Sequence, residues 1–221
     1  MKLIEIKNIC KNYNSNNVLN NISFDILRGE MISIVGKSGA GKSTLLHIIG
    51  TIKKFDKGSI VINGKNINYN NSDEISKIRN TNIGFVFQNN QLLPEFTSIE
   101  NVCIPAMIKK DNFKTSKLKA KKLFDLLDIS SKSDKKPNEL SSGEQQRVAI
   151  ARALINDPLI ILADEPTGNL DKENSNTIYS LFKKLNKELN QTFAIVTHDN
   201  EIPKFCDSVY EIKNRKLMKI K

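Results

Sequence analysis

Apolar and polar positions alternate through residues 2–9 (KLIEIKNI) and again through 18–27 (VLNNISFDIL), the period-two pattern of half-buried strands, with asparagine-rich turn residues between them. The pattern then changes. MISIV at 31–35 is a short, continuous apolar run that reads as a buried strand, and it feeds directly into GKSGAGKST and an apolar helix around LLHIIG. GSIVING (58–64) and IGFVFQ (83–88) read as two further strands. Residues 98–157 are almost wholly helical in pattern, with breaks expected at Pro105, around 111–114 and across 130–138. Strands return at 159–164 (LIILAD) and 192–197 (TFAIVT), separated by a helix over 172–190. The tail reads as two strands around Asn214 and Arg215.

This order predicts an α/β fold. Short apolar strands with crossover helices make a mainly parallel sheet covered on both faces, a helical block interrupts it, and the N-terminal strands form an antiparallel β side sheet. A chain of 221 residues suffices for one such domain with a full core or for two small lobes, and its 39% apolar content belongs to globular chains. The longest apolar runs, MISIVG and LIILA, are far too short to span a bilayer, and the opening MKLIEIKNIC alternates like a strand rather than a signal peptide. If the protein works at a membrane, another chain supplies the span. Cys10, Cys103 and Cys206 lie far apart without CxxC spacing and read as reduced thiols of a cytosolic protein. The net charge of +10 suggests either an anionic partner or a compositional bias toward Lys, Asn and Ile. The basic residues are scattered without interleaved aromatics, which favours the bias, and no nucleic-acid partner is expected.

GKSGAGKST (36–44) carries the strongest chemical signal in the chain. It fits GxxxxGK[ST] with Gly36, Gly41, Lys42 and Ser43 at the fixed positions, after a strand and opening a helix. Backbone from Gly36, Lys37, Ser38, Gly39, Ala40, Gly41 and Thr44 is expected to wrap phosphates, with helix N–H groups and dipole favouring negative charge. Lys42 would contact the β- and γ-phosphates, and Ser43 would ligate Mg²⁺. The strand LIILAD ends in Asp164, placed to hold Mg²⁺, and Glu165 follows, placed to orient or deprotonate an attacking water. Gln88 ends another strand and can bridge Mg²⁺ or that water. His198 ends TFAIVTH and can hydrogen-bond a γ-phosphate, whereas His47, inside an apolar helix, reads as structural. Tyr13 could stack on adenine, but by its residues alone ordinary packing is the preferred reading. LSSGEQQRVAIARAL (140–154) opens with small residues at a helix N-terminus and is a second potential anion site, without a nucleophile or metal-ligand spacing of its own.

In this order the motifs resemble the nucleotide-binding subunits of ABC transporters over essentially the whole chain. A phosphate loop alone is widespread; one followed by LSxGxQ just before a DE-ending strand is very specific. The resemblance implies a P-loop NTPase (RecA-like) core, a single nucleotide-binding domain with 1–88 and 159–221 as α/β core and 89–158 as helical subdomain, and ATP with Mg²⁺ as cofactors. It implies that Tyr13 is the adenine-stacking aromatic, Gln88 the Q-loop glutamine, His198 the switch histidine, and that Asn169, Leu170 and Asp171 form the D-loop. It also accounts for the second helix start: two copies pack head to tail in an ATP-dependent homodimer, and Ser141 and Gly143 of one meet the γ-phosphate held by the other. DEPTGNLD (164–171) is similar to the subgroup of lipoprotein-releasing, macrolide-exporting and cell-division ATPases, and the run Leu92, Leu93, Pro94, Glu95, Phe96, Thr97 is similar to the lipoprotein-releasing members. This implies an ATPase on the cytoplasmic face of the bacterial inner membrane that drives lipoprotein release through an integral membrane permease met by the segment after Gln88. A division or efflux ATPase is the alternative, and a soluble nucleic-acid-associated ABC ATPase is a more distant one. The apolar members of that segment could equally be core of the helical subdomain. One departure stands out: Ser142 replaces the family's glycine, at small cost if its φ is ordinary and with strain if φ is positive.

Overall fold

The computed structural model describes residues 1–14, 16–199 and 201–221. In chain order the elements are β1 (Lys2–Tyr13), β2 (Asn16–Leu27), β3 (Met31–Val35), α1 (Lys42–Ile49), β4 (Lys57–Ile62), β5 (Lys65–Asn66), α2 (Ser72–Asn82), β6 (Ile83–Phe87), α3 (Ser98–Ile108), α4 (Phe113–Leu126), α5 (Ser142–Leu154), β7 (Ile160–Asp164), α6 (Lys172–Leu189), β8 (Thr192–Val196), α7 (Ile202–Phe205), β9 (Ser208–Lys213) and β10 (Lys216–Lys219). Short 3-10 turns occupy Ser130–Lys132 and Pro137–Glu139. The chain forms two compact units, residues 1–76 with 185–221, and residues 77–184.

The first unit contains the antiparallel sheet β2-β1-β4-β5. Its alternation is real but interrupted. Ile4 and Ile6 face the core in register with Ile26 and Phe24, then the register shifts before Ile9, where Asn8 takes a left-handed φ of 54°. That bulge resets the pleat so that Ile9 points inward again. In the same unit β3 lies between β8 and β9, parallel to both, with Ile34 beside Val196 and beside Tyr210. Ile32, Ile34, Phe193, Ala194, Ile195 and Val196 are all buried, which is why these strands read as continuous apolar runs. The hairpin from β9 to β10 turns at Asn214 and Arg215, left-handed at φ 51° and 66°, as a tight two-residue hairpin requires.

The second unit pairs β6 and β7 in parallel, Ile83 with Ile160 through Phe87 with Asp164. α5 approaches β6 backbone to backbone: a Cβ on Gly84 would lie 2.5 Å from the Ala153 carbonyl oxygen. Val102, Cys103, Ala120, Phe124, Val148 and Ile150 form the helical core.

The parallel pairings, the antiparallel side sheet and the helical block bear out the α/β fold. One local expectation fails, and one element goes unforeseen. α3 does not break at Pro105 but runs through it: the ring costs the helix one bond, that to the Asn101 carbonyl, while the Pro105 carbonyl stays anchored by the Lys109 N–H (3.1 Å) and by the Asn80 and Asn156 amides (3.1 Å each). α2 is a helix that the sequence pattern does not signal: it buries only Ile75, so it carries almost no apolar period.

Candidate functional site

In the first unit β3 ends at Val35, and the chain winds through Gly36, Gly39 and Gly41 at φ 149°, 75° and 102° before α1. Gly36 and Gly41 need glycine on two counts, conformation and space. A Cβ would lie 2.7 Å from the Ile212 carbonyl oxygen at Gly36 and 2.9 Å from Val18 Cγ1 at Gly41. No side chain caps α1 at Gly41, so the positive helix end stays turned to the loop. Lys42 is buried, and its Nζ donates to the carbonyls of Gly36 (3.0 Å) and Lys37 (3.2 Å).

Two further residues gather at this loop. The Thr197 N–H donates to the Ile34 carbonyl (3.3 Å), so exposed His198 leaves its strand beside Gly36. Tyr13 is 39% exposed, which sets aside the reading of ordinary packing. Burial raises its phenol pKa, but hydrogen bonding with Lys53 and Thr44 and the charges of Lys53 and Lys11 outweigh it and leave the phenol below its usual value. Both ammonium groups lie 5.3 Å from the ring centroid. Lys11 lies two residues before Tyr13 in β1, within local reach of its ring, whereas Lys53 escapes a sequence reading because only the fold brings it to Tyr13.

In the second unit the register of Phe87 with Asp164 puts Gln88 and Glu165 side by side at adjacent strand ends. Glu165 has a left-handed φ of 47°, and the chain reverses at once, with the Gly168 N–H donating to its carbonyl (3.0 Å). Asn169 Nδ2 donates to the Gln88 carbonyl (3.2 Å) and to Asn89 Oδ1 (2.8 Å). The Asp171 carboxylate accepts the Asn174 N–H and side-chain amide, each at 2.8 Å, and caps the start of α6. These bonds hold Asp171 below the usual carboxylate range. Asn174 also backs Gly143, where a Cβ would lie 2.8 Å from its Oδ1. Neither Asn89 nor Asn174 stands out in the sequence; the Asp-x-x-Asn spacing from Asp171 to Asn174 is the cap signal that could find the latter.

α5 starts from a capping box. Ser141 Oγ accepts from the Glu144 N–H (3.3 Å), and Glu144 Oε2 accepts from the Ser141 N–H (2.9 Å). Ser142 is the first helical residue and is not among the residues with positive φ, so the ordinary-φ alternative holds. Gly143 is buried behind it.

The segment after Gln88 is built around Asn101. Fully buried, it accepts the Leu93 N–H (2.8 Å) and donates to the carbonyls of Leu93 (3.0 Å), Phe96 (3.1 Å) and Thr97 (3.0 Å). The loop so formed leaves Leu93 and Phe96 each 43% exposed, so these two are not core. Among the described residues no helix is long and apolar enough to cross a membrane.

Comparison with known proteins agrees with this arrangement. Residues 19–168 match the family model described as ABC transporter. The chain is 48% identical over 206 residues to the lipoprotein-releasing system ATP-binding protein LolD of Cytophaga hutchinsonii, covering 93% of this chain and 94% of that one. It is 49% identical to LolD of Bacteroides fragilis, covering 93% and 95%. Among solved structures it superposes on the dimeric ATP-binding cassette MJ0796 in a post-hydrolysis state with ADP and Pi, at a TM-score of 0.88, 38% identity and 99% of each chain. It also superposes on cbiO1 of Clostridium perfringens, part of the transporter complex cbiONQ, at a TM-score of 0.90, 32% identity, and 98% and 87% of the two chains.

Proposed function

The chain belongs to the ABC transporter ATP-binding family, and from that premise we propose that it binds and hydrolyses ATP to drive lipoprotein release from the bacterial inner membrane. The observation that carries the reading is the similarity to lipoprotein-releasing ATP-binding proteins along more than nine-tenths of both chains, with the phosphate loop, the α5 start and the Asp164–Glu165 pair all within it.

In this reading Tyr13 stacks on adenine, and the backbone of residues 36–44 wraps the phosphates. Lys42 pairs with the β- and γ-phosphates, and His198 hydrogen-bonds the γ-phosphate. Glu165 orients or deprotonates the water that attacks in line, and ADP leaves. Mg²⁺ fits the donors offered by Ser43, Gln88 and Asp164, which are a hydroxyl, an amide oxygen and a carboxylate, the hard oxygens this ion takes. When bound it supplies charge neutralisation between the phosphates. Residues 1–88 and 159–221 serve as the nucleotide-binding core and 89–158 as the helical subdomain.

Two copies close head to tail. The start of α5, with Ser141 and Gly143, presents its positive helix end to the ATP held by the partner copy, so both sites form together. Because ATP favours the closed dimer, dimerisation is linked to nucleotide. The subunit sits peripherally on the cytoplasmic face, and the exposed Leu93 and Phe96 of the segment after Gln88 meet the integral permease.

Glu165→Gln tests this. Turnover is expected to fall by about 10²- to 10⁴-fold while ATP binding persists. The variant should elute as a dimer with ATP and as a monomer without it. A variant that binds ATP yet stays monomeric would overturn the sandwich. Capture of the subunit from detergent-solubilised membranes should bring a permease with a large periplasmic domain; a division permease instead would overturn the lipoprotein reading.

A further inference from the structure

Residues 88–91 are gripped by two side chains from elsewhere in the second unit. Asn169, in the turn after Glu165, takes the Gln88 carbonyl and Asn89 Oδ1. Arg152, in the last turn of α5, takes the next two residues: its Nη2 donates to the Asn90 carbonyl and its Nη1 to the Gln91 carbonyl, each at 2.6 Å. These are short, charge-assisted bonds from one rigid fork to consecutive carbonyls. No carboxylate among the described residues pairs with Arg152, so the two carbonyls are the groups that meet its charge. Gln91 adopts a left-handed φ of 49°, and the Asn101-built loop bearing Leu93 and Phe96 comes directly after it.

α5 is therefore fastened at both ends to working parts. Its start carries Ser141 and Gly143. Its last turn, about 15 Å further along the helix axis, holds the segment that leads to the exposed apolar loop. A helix of 13 residues packed on β6 transmits a displacement rather than absorbing it.

We propose that Arg152 is the strut that makes α5 and residues 88–96 move as one body, so that displacement of the α5 start on nucleotide closure reaches Leu93 and Phe96. Arg152 is a positioning residue that touches no nucleotide. The proposal rests on the reading that the α5 start closes on ATP of a partner copy.

The chain contains no tryptophan, so Phe96→Trp gives a single reporter on the loop. In a Glu165→Gln background, ATP is expected to change its emission. Adding Arg152→Met should abolish most of that change while the Kd for a fluorescent ATP analogue stays within about twofold and ATP-dependent dimerisation persists. Arg152→Lys, which keeps the charge but not the fork, should give an intermediate amplitude. A full response in Arg152→Met overturns the proposal, as does a parent that dimerises with ATP and shows no response. Should Arg152→Met not fold, Arg152→Lys with hydrogen exchange of the 88–96 amides decides: exchange insensitive to ATP in the parent overturns the strut. Failure of the parent to dimerise would instead count against the sandwich itself, and the two failures are distinct.

Discussion

Ser142 stands where the family's usual signature has glycine, and its conformation decides how much that exchange costs. As the first residue of α5 with ordinary φ it needs none of glycine's freedom, and serine suits a helix start. Ser142→Gly should leave steady-state ATPase activity equal or modestly higher, within about twofold; a marked loss would reveal a role for the hydroxyl. Glu144 behaves differently. The Ser141 N–H holds its carboxyl below the ordinary value of 4.5, against an opposing effect of burial and with help from Lys132. A folded-state pKa below the unfolded one adds stability that is present above the unfolded value and lost as pH falls through the folded one. Glu144→Ala should therefore cost about 1 kcal/mol at neutral pH, and urea titrations should show the gap from the parent closing as pH falls below the ordinary value of 4.5. The capping box at the α5 start is readable from Ser141 and Glu144 three apart; the φ of Ser142 is not, since serine tolerates more than one backbone region.

Among the elements, α3 and the loop before it form one device. Asn101 supplies one acceptor to an N–H and one amide to three carbonyls, all inside the fold. Asn101→Ala leaves those backbone groups unmet and should cost about 3 kcal/mol in thermal or urea melts. Asn101→Asp should cost at least as much, because a carboxylate oxygen would face three carbonyls. An aspartate variant as stable as the parent would refute that role for Asn101. The helical character of 98–108 is legible from its periodicity. Its continuity through Pro105 is not, because the amides that steady the Pro105 carbonyl come from Asn80 and Asn156, distant in sequence. The same limit applies to Leu93 and Phe96, whose apolar character fits core and contact surface equally until Asn101 fixes the loop that exposes them.

Across the whole molecule, the cysteines report how the chain is buried. Burial pushes the Cys103 thiol up to about 11 and the Cys206 thiol up to about 12, so both stay protonated at neutral pH. Brief alkylation of the folded protein should modify half-buried Cys10 first, with Cys103 and Cys206 reacting only after denaturation, as peptide mass spectrometry would show. The class of fold and the chemistry are written locally in the chain. Apolar runs and alternation specify strands, and the phosphate loop, the α5 start and the Asp164–Glu165 pair act through residue types at fixed spacing. The distant side chains that complete these parts are selected by folding alone: Lys53 at Tyr13, Asn174 behind Gly143, Asn169 and Arg152 on residues 88–91. Those contacts are set by strand register and helix packing, which join residues far apart in the chain and leave no period or spacing in the sequence to read.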